Sequence, residues 1–197
     1  IRGARTTDTD GDNSPDVRTY YQESLDAMGY PYDVWDTNNS DDEPDASTLA
    51  QYSCVIWMTG DGYLDYTGPG PAGEAALATY LNNGGRLCFS SQDYLYNRVL
   101  TSFVQTYFRI LTYVNDVEHT TVTCTGIYTG AGTFALNYPS INFSDRITPN
   151  STASVAFEGD RGHAAITHDG GIYRTVFWGF PFEALFTTQH RADMMET

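Results

Sequence analysis

The sequence predicts a three-layer α/β sandwich on a mostly parallel sheet, with a β-rich elaboration near residues 112–160. Three observations lead there. Short apolar runs alternate with amphipathic stretches through the first half, the pattern of strand–helix units on a parallel sheet. The runs at 53–58 and 86–90 carry unbroken apolar stretches, as strands buried on both faces do. A strand at 164–168, a turn at Asp169, Gly170 and Gly171, and a strand at 172–178 form a β-hairpin. With 197 residues, 41% of them hydrophobic, the chain suffices for one domain with a proper core.

Each element has a local reason. Residues 1–7 form the first strand, made unusually polar by Arg2 and Arg5. Residues 16–28 form a helix, because Val17, Tyr20, Tyr21, Leu25 and Met28 share one face and Gly29 ends it. A strand at 32–35, a short helix at 47–52 and the buried strand at 53–58 follow. The helix at 72–83 is closed by Gly84 and Gly85 before the strand at 86–90. Helical spacing of Leu95, Val99, Phe103, Val104, Tyr107 and Phe108 predicts a helix over 93–111. From 112 to 157 the chain turns rich in Thr, Tyr, Gly, Ser and Asn and reads as strands and loops. A final helix starts near Phe182. The chain lacks an initiator Met, opens inside an expected strand and closes in helical sequence without a capping Gly or Pro. These ends predict a piece of a longer polypeptide.

A net charge of −15 excludes nucleic acid as a partner, since a phosphate backbone would be repelled, and no apolar run is long enough to span a membrane. All ten basic residues are Arg, and Asp outnumbers Glu 18 to 7. That balance suits solubility at high salt and also occurs in secreted proteins. Cys54, Cys88 and Cys124 have neither metal spacing nor an even disulfide framework, and Cys54 and Cys88, in apolar strand-like runs, read as buried free thiols. Asn38, Asn142 and Asn150 head N-glycosylation sequons and suit an extracellular setting.

The most distinctive local feature is the acidic run 8–16. Asp8, Asp10, Asp12 and Asp16 surround Gly11 with no basic residue among them. Such a loop folds compactly when a cation neutralises it, and the spacing is the front half of an oxygen-ligand calcium site. Asn13 replaces the usual Gly of an EF-hand loop, and Thr19 stands where its bidentate Glu would be, which implies weaker binding or a ligand from elsewhere. The same residue types also build ordinary solvated turns.

Parallel α/β sheets place ligands at the carboxyl ends of their strands. Asp8, Asp10, Asp36, Asp61, Gln92 and Asp93 all follow expected strands, and Asp8, Asp10, Asp61 and Asp93 together could hold one divalent metal. Asp also caps helices and turns at such positions. Ser91 could serve as a nucleophile with His163 or His168 as base, although no G-x-S-x-G motif supports it. His119 and His190 read as surface residues. Tyr63, Tyr66, Tyr94 and Tyr96 fall in loops after the third and fourth strands, beside the Gly-Pro-Gly-Pro run at 68–71, where they could stack on carbohydrate or peptide.

The order of several segments carries a resemblance. They are Tyr20, Tyr21, Leu25, Gly29 and Tyr30, then Tyr32 to Trp35, Val55 to Gly60, Gly84 to Tyr96 and Tyr173 to Glu183. Together they resemble class I glutamine-amidotransferase-like domains, and more closely the flavodoxin-like modules of large secreted prokaryotic proteins, including extracellular peptidases. The resemblance covers most of the chain outside 112–157. It implies a single domain over 1–197 with an insertion at 112–160. The enzymes of that family need a Cys nucleophile on the turn after a central strand and a His activated by Glu. Here the turn carries Ser90, Ser91 and Gln92, Cys88 lies inside the strand, and Pro181 stands where the general base should be. The expectation is a non-catalytic extracellular interaction or assembly module with a calcium-binding acidic loop. Its partners would be other domains of the parent chain or other subunits, with carbohydrate or peptide as further ligands. The alternative is a metal-dependent or serine hydrolase acting at the carboxyl edge of the sheet.

Overall fold

The apolar runs near 55 and 87 sit inside one nine-stranded sheet. The structure is a computed structural model and describes the backbone of 2–4 and residues 17–37, 42–60 and 68–195. The first half runs β1 (Arg2–Ala4), α1 (Arg18–Met28), β2 (Asp33–Trp35), α2 (Ala46–Leu49), β3 (Val55–Met58), α3 (Pro71–Asn82) and β4 (Arg86–Ser90). It continues through α4 (Tyr94–Arg98), β5 (Ile110–Val114), β6 (Thr121–Cys124), β7 (Thr133–Ala135), β8 (Arg146–Pro149) and β9 (Ser154–Gly159). The chain then closes with β10 (Gly162–Asp169), β11 (Arg174–Trp178) and α5 (Thr188–Met195).

The sheet order is β2-β1-β3-β4-β11-β10-β9-β6-β7. Its first five strands are parallel, in the 2-1-3-4-5 order of flavodoxin-like sheets. From β11 outward every pairing is antiparallel, so the parallel half carries a four-strand antiparallel extension. The expected β-rich elaboration supplies β6, β7 and β9 of that extension. It also supplies a separate two-stranded sheet, β5 with β8.

Two cores follow from strand alternation. On one face Val55, Trp57, Leu87, Phe89 and Phe177 pack with Leu77, Tyr80 and Leu81 of α3 and with Phe103, Val104 and Phe108. On the other, Ile56, Met58 and Trp178 meet Tyr21 and Leu25 of α1, Met194 of α5 and the aromatic residues of the extension. Phe89 stacks on Phe177 at 5.4 Å between centroids and meets Phe108 edge-on at 5.2 Å. The three cysteines are free; Cys124 is buried, while Cys54 and Cys88, expected to be buried, are half-buried.

Helix ends are set by local chemistry. Gly29 ends α1 at φ 70°, in the left-handed region, and its N–H donates to Asp26. The Glu43 carboxylate accepts from the N–H groups of Gly70 (2.8 Å) and Gly73 (2.9 Å), satisfying orphan donors at the start of α3. A side chain at Gly73 would collide with that carboxylate and with Pro69.

Two expectations need correction. The helix expected over 93–111 is broken: α4 stops at Val99 (φ 55°), a π-helical turn spans Val104–Phe108, and Arg109 (φ 64°) leads into β5. Of the residues in that spacing Leu95, Phe103, Val104, Tyr107 and Phe108 are buried, whereas Val99 is 56% exposed. The breaks fall on Val and Arg, which give none of the glycine signals for a left-handed turn. The final helix begins at Thr188, not near Phe182. Residues Phe182–Ala184 make one 3-10 turn, and Leu185 then bridges to Leu136.

Truncating Phe89 should cost about 3–5 kcal/mol, because it sits between three aromatic rings with no exposed surface. Urea unfolding of Phe89→Ala should show that loss. Ile172→Ala, at a 66% exposed site, should stay within about 0.5 kcal/mol of the parent chain.

Candidate functional site

Because β3, β4 and β11 run parallel, their carboxyl ends share one rim, and the residues just beyond them converge there. Ser91 follows β4. Its Oγ accepts from Thr59 Oγ1 (2.7 Å), from the Tyr94 N–H (3.0 Å) and from the Asp93 N–H (3.3 Å), and its own N–H donates to Trp178 (3.2 Å). Ser91 is 1% exposed. It therefore caps α4 and ties β4 to its neighbours.

His168 stands elsewhere. It pairs with Thr175 of β11, three residues before Trp178, so it lies about 10 Å back along the sheet, towards the amino ends of the parallel strands. Its Nδ1 donates to the Thr152 carbonyl (2.8 Å), and its Nε2 faces the Arg109 Nε–H at 3.4 Å. His163 is exposed and pairs with Glu158 at 2.6 Å. The suggested Ser91–His168 pair is thus not brought together, because the hairpin runs antiparallel and carries His168 away from the rim.

Of the proposed metal ligands, Asp8, Asp10, Asp12, Asp16 and Asp61 lie outside the described residues, as do Tyr63, Tyr66 and Asn38. Asp93 is buried at the start of α4, and Asp36 pairs with Arg18 at 3.8 Å. Among the described residues no three His, Cys, Asp or Glu side chains are grouped to hold a metal. Tyr94 is a core residue, not a rim aromatic: its ring is fully buried and its hydroxyl donates to Glu74 (3.0 Å), which also binds Arg98. Tyr96 is exposed but lies within α4, not in a loop.

The rim is closed by a segment that the sequence did not single out. The Gln92 amide donates to the Ile141 carbonyl (3.1 Å) and accepts from the Phe143 N–H (3.1 Å), replacing a strand ladder with one side chain. The Asp145 N–H donates to Gly179 just past β11. Residues 116–119 wrap around this segment. Asp116 donates its N–H to Asp145 Oδ1, Val117 and Glu118 donate to the Ser144 carbonyl, and His119 donates to Ser144 Oγ. Asp116 and Glu118 adopt left-handed φ values of 53° and 59° to aim these donors.

His119, expected at the surface, is fully buried: Nδ1 accepts from the Arg161 N–H (3.2 Å), and burial holds its pKa below the usual range. His190 is half-buried against Phe134, with ring centroids 4.4 Å apart. The Asn142 amide donates to the His119 carbonyl (2.9 Å), while its oxygen accepts from the N–H and hydroxyl of Ser144.

Two buried carboxyls flank the rim. Burial, assisted by the charges of Asp93 and Asp116, pushes the Asp145 carboxyl up to about 9 against the Asp116 N–H bond, so it is neutral at pH 7. Its Oδ2 meets no donor among the described residues. Glu183, beyond β11, accepts from the Tyr21 hydroxyl at 3.3 Å, and Ser90 Oγ accepts from the Phe182 N–H at 2.8 Å. The Cys88 thiol lies within β4 and burial pushes it up to about 12, which removes the thiolate needed for nucleophilic attack.

No protein-family profile and no curated protein matches this sequence. Solved structures do. A cytoplasmic protein of Salmonella typhimurium aligns over 90% of this chain and 85% of its own, at 14% identity and a TM-score of 0.64. The CTPS glutaminase domain of Trypanosoma brucei, bound to acivicin, aligns over 98% of this chain and 89% of its own, at 11% identity and a TM-score of 0.52. A β-galactosidase of the haloarchaeon Halorubrum lacusprofundi aligns over 91% of this chain but 25% of its own, at 13% identity and a TM-score of 0.55. At such identities the likeness is one of fold. The chain has a flavodoxin-like fold of the kind used by glutamine-amidotransferase domains.

The neutral Asp145 gives a pH signature. A carboxyl raised in the folded state contributes stability that is fully present below its unfolded pKa near 3.8 and is lost as pH rises through about 9. Asp145→Asn keeps the acceptor for Asp116 and cannot ionise. Its stability relative to the parent chain should rise with pH across that window, by at most about 1.4 kcal/mol per pH unit, and level off outside it. Chemical unfolding of both chains from pH 4 to 10 checks this.

Proposed function

We propose that this chain is a non-catalytic interaction or assembly module of a larger extracellular protein, with a calcium ion held by Asp8, Asp10, Asp12 and Asp16. The observation that carries the first part is the use made of Ser91. Its hydroxyl stands on the turn where related enzymes keep their nucleophile, yet it is enclosed and committed to capping α4. Pro181, which cannot act as a base, occupies the counterpart of the catalytic His. The segment 141–145, pinned by Gln92, covers the rim beside it.

The match to a quarter of the haloarchaeal β-galactosidase supports the modular part, since there the fold is one portion of a much longer chain. The Lys-free surface and net charge of −15 suit a salt-rich or extracellular setting. Partners would be neighbouring domains or other subunits, and exposed Tyr96 is available for carbohydrate or peptide.

Covalent probes test the absence of catalysis. Folded protein incubated with a fluorophosphonate, and separately with acivicin, should keep its intact mass. Stoichiometric labelling of Ser91 or of a cysteine would overturn the proposal. So would ester or phosphate hydrolysis that needs added magnesium or calcium and disappears in Asp93→Asn. Ser91→Ala should instead act on stability, losing about 1–2 kcal/mol as the Asp93 and Tyr94 donors lose their acceptor.

The calcium site is tested by melting. Oxygen ligands at about 2.3–2.6 Å would hold the ion only in the folded loop, so binding stabilises the native state by mass action. Calcium should raise Tm by several degrees over a chelator, and Asp10→Ala should abolish the difference. Sodium chloride at matched ionic strength is the control: an equal rise there would reduce the loop to a screened acidic turn.

A further inference from the structure

The described sequons, Asn142 and Asn150, both have a half-buried asparagine. Both use their side-chain oxygen in a local turn: Asn142 Oδ1 accepts from the N–H and hydroxyl of Ser144, and Asn150 Oδ1 accepts from those of Thr152 at 2.9 and 2.7 Å. The difference lies in the nitrogen and the surroundings. Asn142 Nδ2 is spent on the buried His119 carbonyl, and Ser144 has no exposed surface. Asn150 opens the turn between β8 and β9, with Ser151 and Thr152 both exposed. Among the described residues no acceptor engages Asn150 Nδ2. The turn itself is firmly held: the Asn150 N–H donates to Arg109 (2.8 Å), the Ala153 N–H to Asn150 (3.3 Å), and His168 Nδ1 binds the Thr152 carbonyl (2.8 Å).

We propose that Asn150 is an N-glycosylation site of the folded chain and that Asn142 is withheld by the fold. The acceptor chemistry suits the geometry. Two donors on Oδ1 draw electron density towards oxygen and favour the imidate form, in which nitrogen is the nucleophile. Nδ2 attacks the anomeric carbon of a polyprenyl-diphosphate-linked glycan. A C–N bond forms as the C–O bond to the diphosphate breaks, polyprenyl diphosphate leaves with the electron pair, and the amide proton passes to a base of the transferase. Thr152 is therefore both sequon residue and positioning donor. A glycan here would project from the hairpin-side end of the sheet, away from the rim at Ser91. The proposal depends on the extracellular reading for its biological setting only.

The test is run in vitro, so it is independent of where the chain resides and of whether it is a catalyst. Folded Asn38→Gln chain is incubated with a solubilised oligosaccharyltransferase and dolichyl-diphosphate-linked chitobiose, and the product is read by intact mass and peptide mapping. One disaccharide on Asn150 is expected. The gain should vanish in Asn150→Gln and in Thr152→Val, which retains the side-chain shape, and survive in Thr152→Ser. No gain on the folded chain while a control acceptor peptide is modified overturns the proposal. A disaccharide on Asn142 of the folded chain overturns it equally.

Discussion

The parallel ladder between β4 and β11 joins the two halves of the chain, and the rest of the architecture depends on it. It places Phe89 beside Phe177 on one face and Cys88 beside Val176 on the other, so both cores cross this seam. The energy comes from burying large aromatic residues from distant segments, which no local propensity can supply. Beside β11 its antiparallel partner β10 carries the extension of β9, β6 and β7. The same seam sets the rim, because Ser91 and Gly179 follow directly from its two strands.

At that rim polar groups are used for closure. Ser91, Gln92, Ser144 and Asp145 lie in a place where an open α/β sheet usually admits a ligand. Here each forms hydrogen bonds that hold neighbouring backbone, and Gln92 makes two of the bonds that fasten a stretch with no strand of its own. Burial sets the charge state. An ionised Asp145 beside Asp93 would be costly away from water, so the proton stays on. The left-handed residues Asp116 and Glu118 are the backbone cost of bringing four successive N–H groups onto Ser144 and Asp145.

Departures from helical regularity have a common physical origin. Val99 and Arg109 bracket a segment whose apolar side chains all reach the core. Satisfying that burial while turning the chain into β5 demands positive φ at residues that disfavour it. Packing compensates for the strain, because Phe103, Tyr107 and Phe108 join the aromatic cluster around Phe89.

The sequence alone determined the βα alternation, the buried strands, the Gly29 and Gly84–Gly85 helix ends, the hairpin of β10 and β11 and the β-rich elaboration. Each rests on short-range physics: period, capping chemistry and turn residues. It also placed Ser91 on the turn after β4. The tertiary structure decided what local pattern could not carry. It separated Ser91 from His168, because the distance between strand ends depends on the direction of the hairpin. It buried Tyr94 and His119, whose exposure depends on residues far along the chain. It distinguished Asn142 from Asn150, since long-range packing sets the His119 carbonyl against the Asn142 amide nitrogen and buries Ser144, which the sequons themselves do not show.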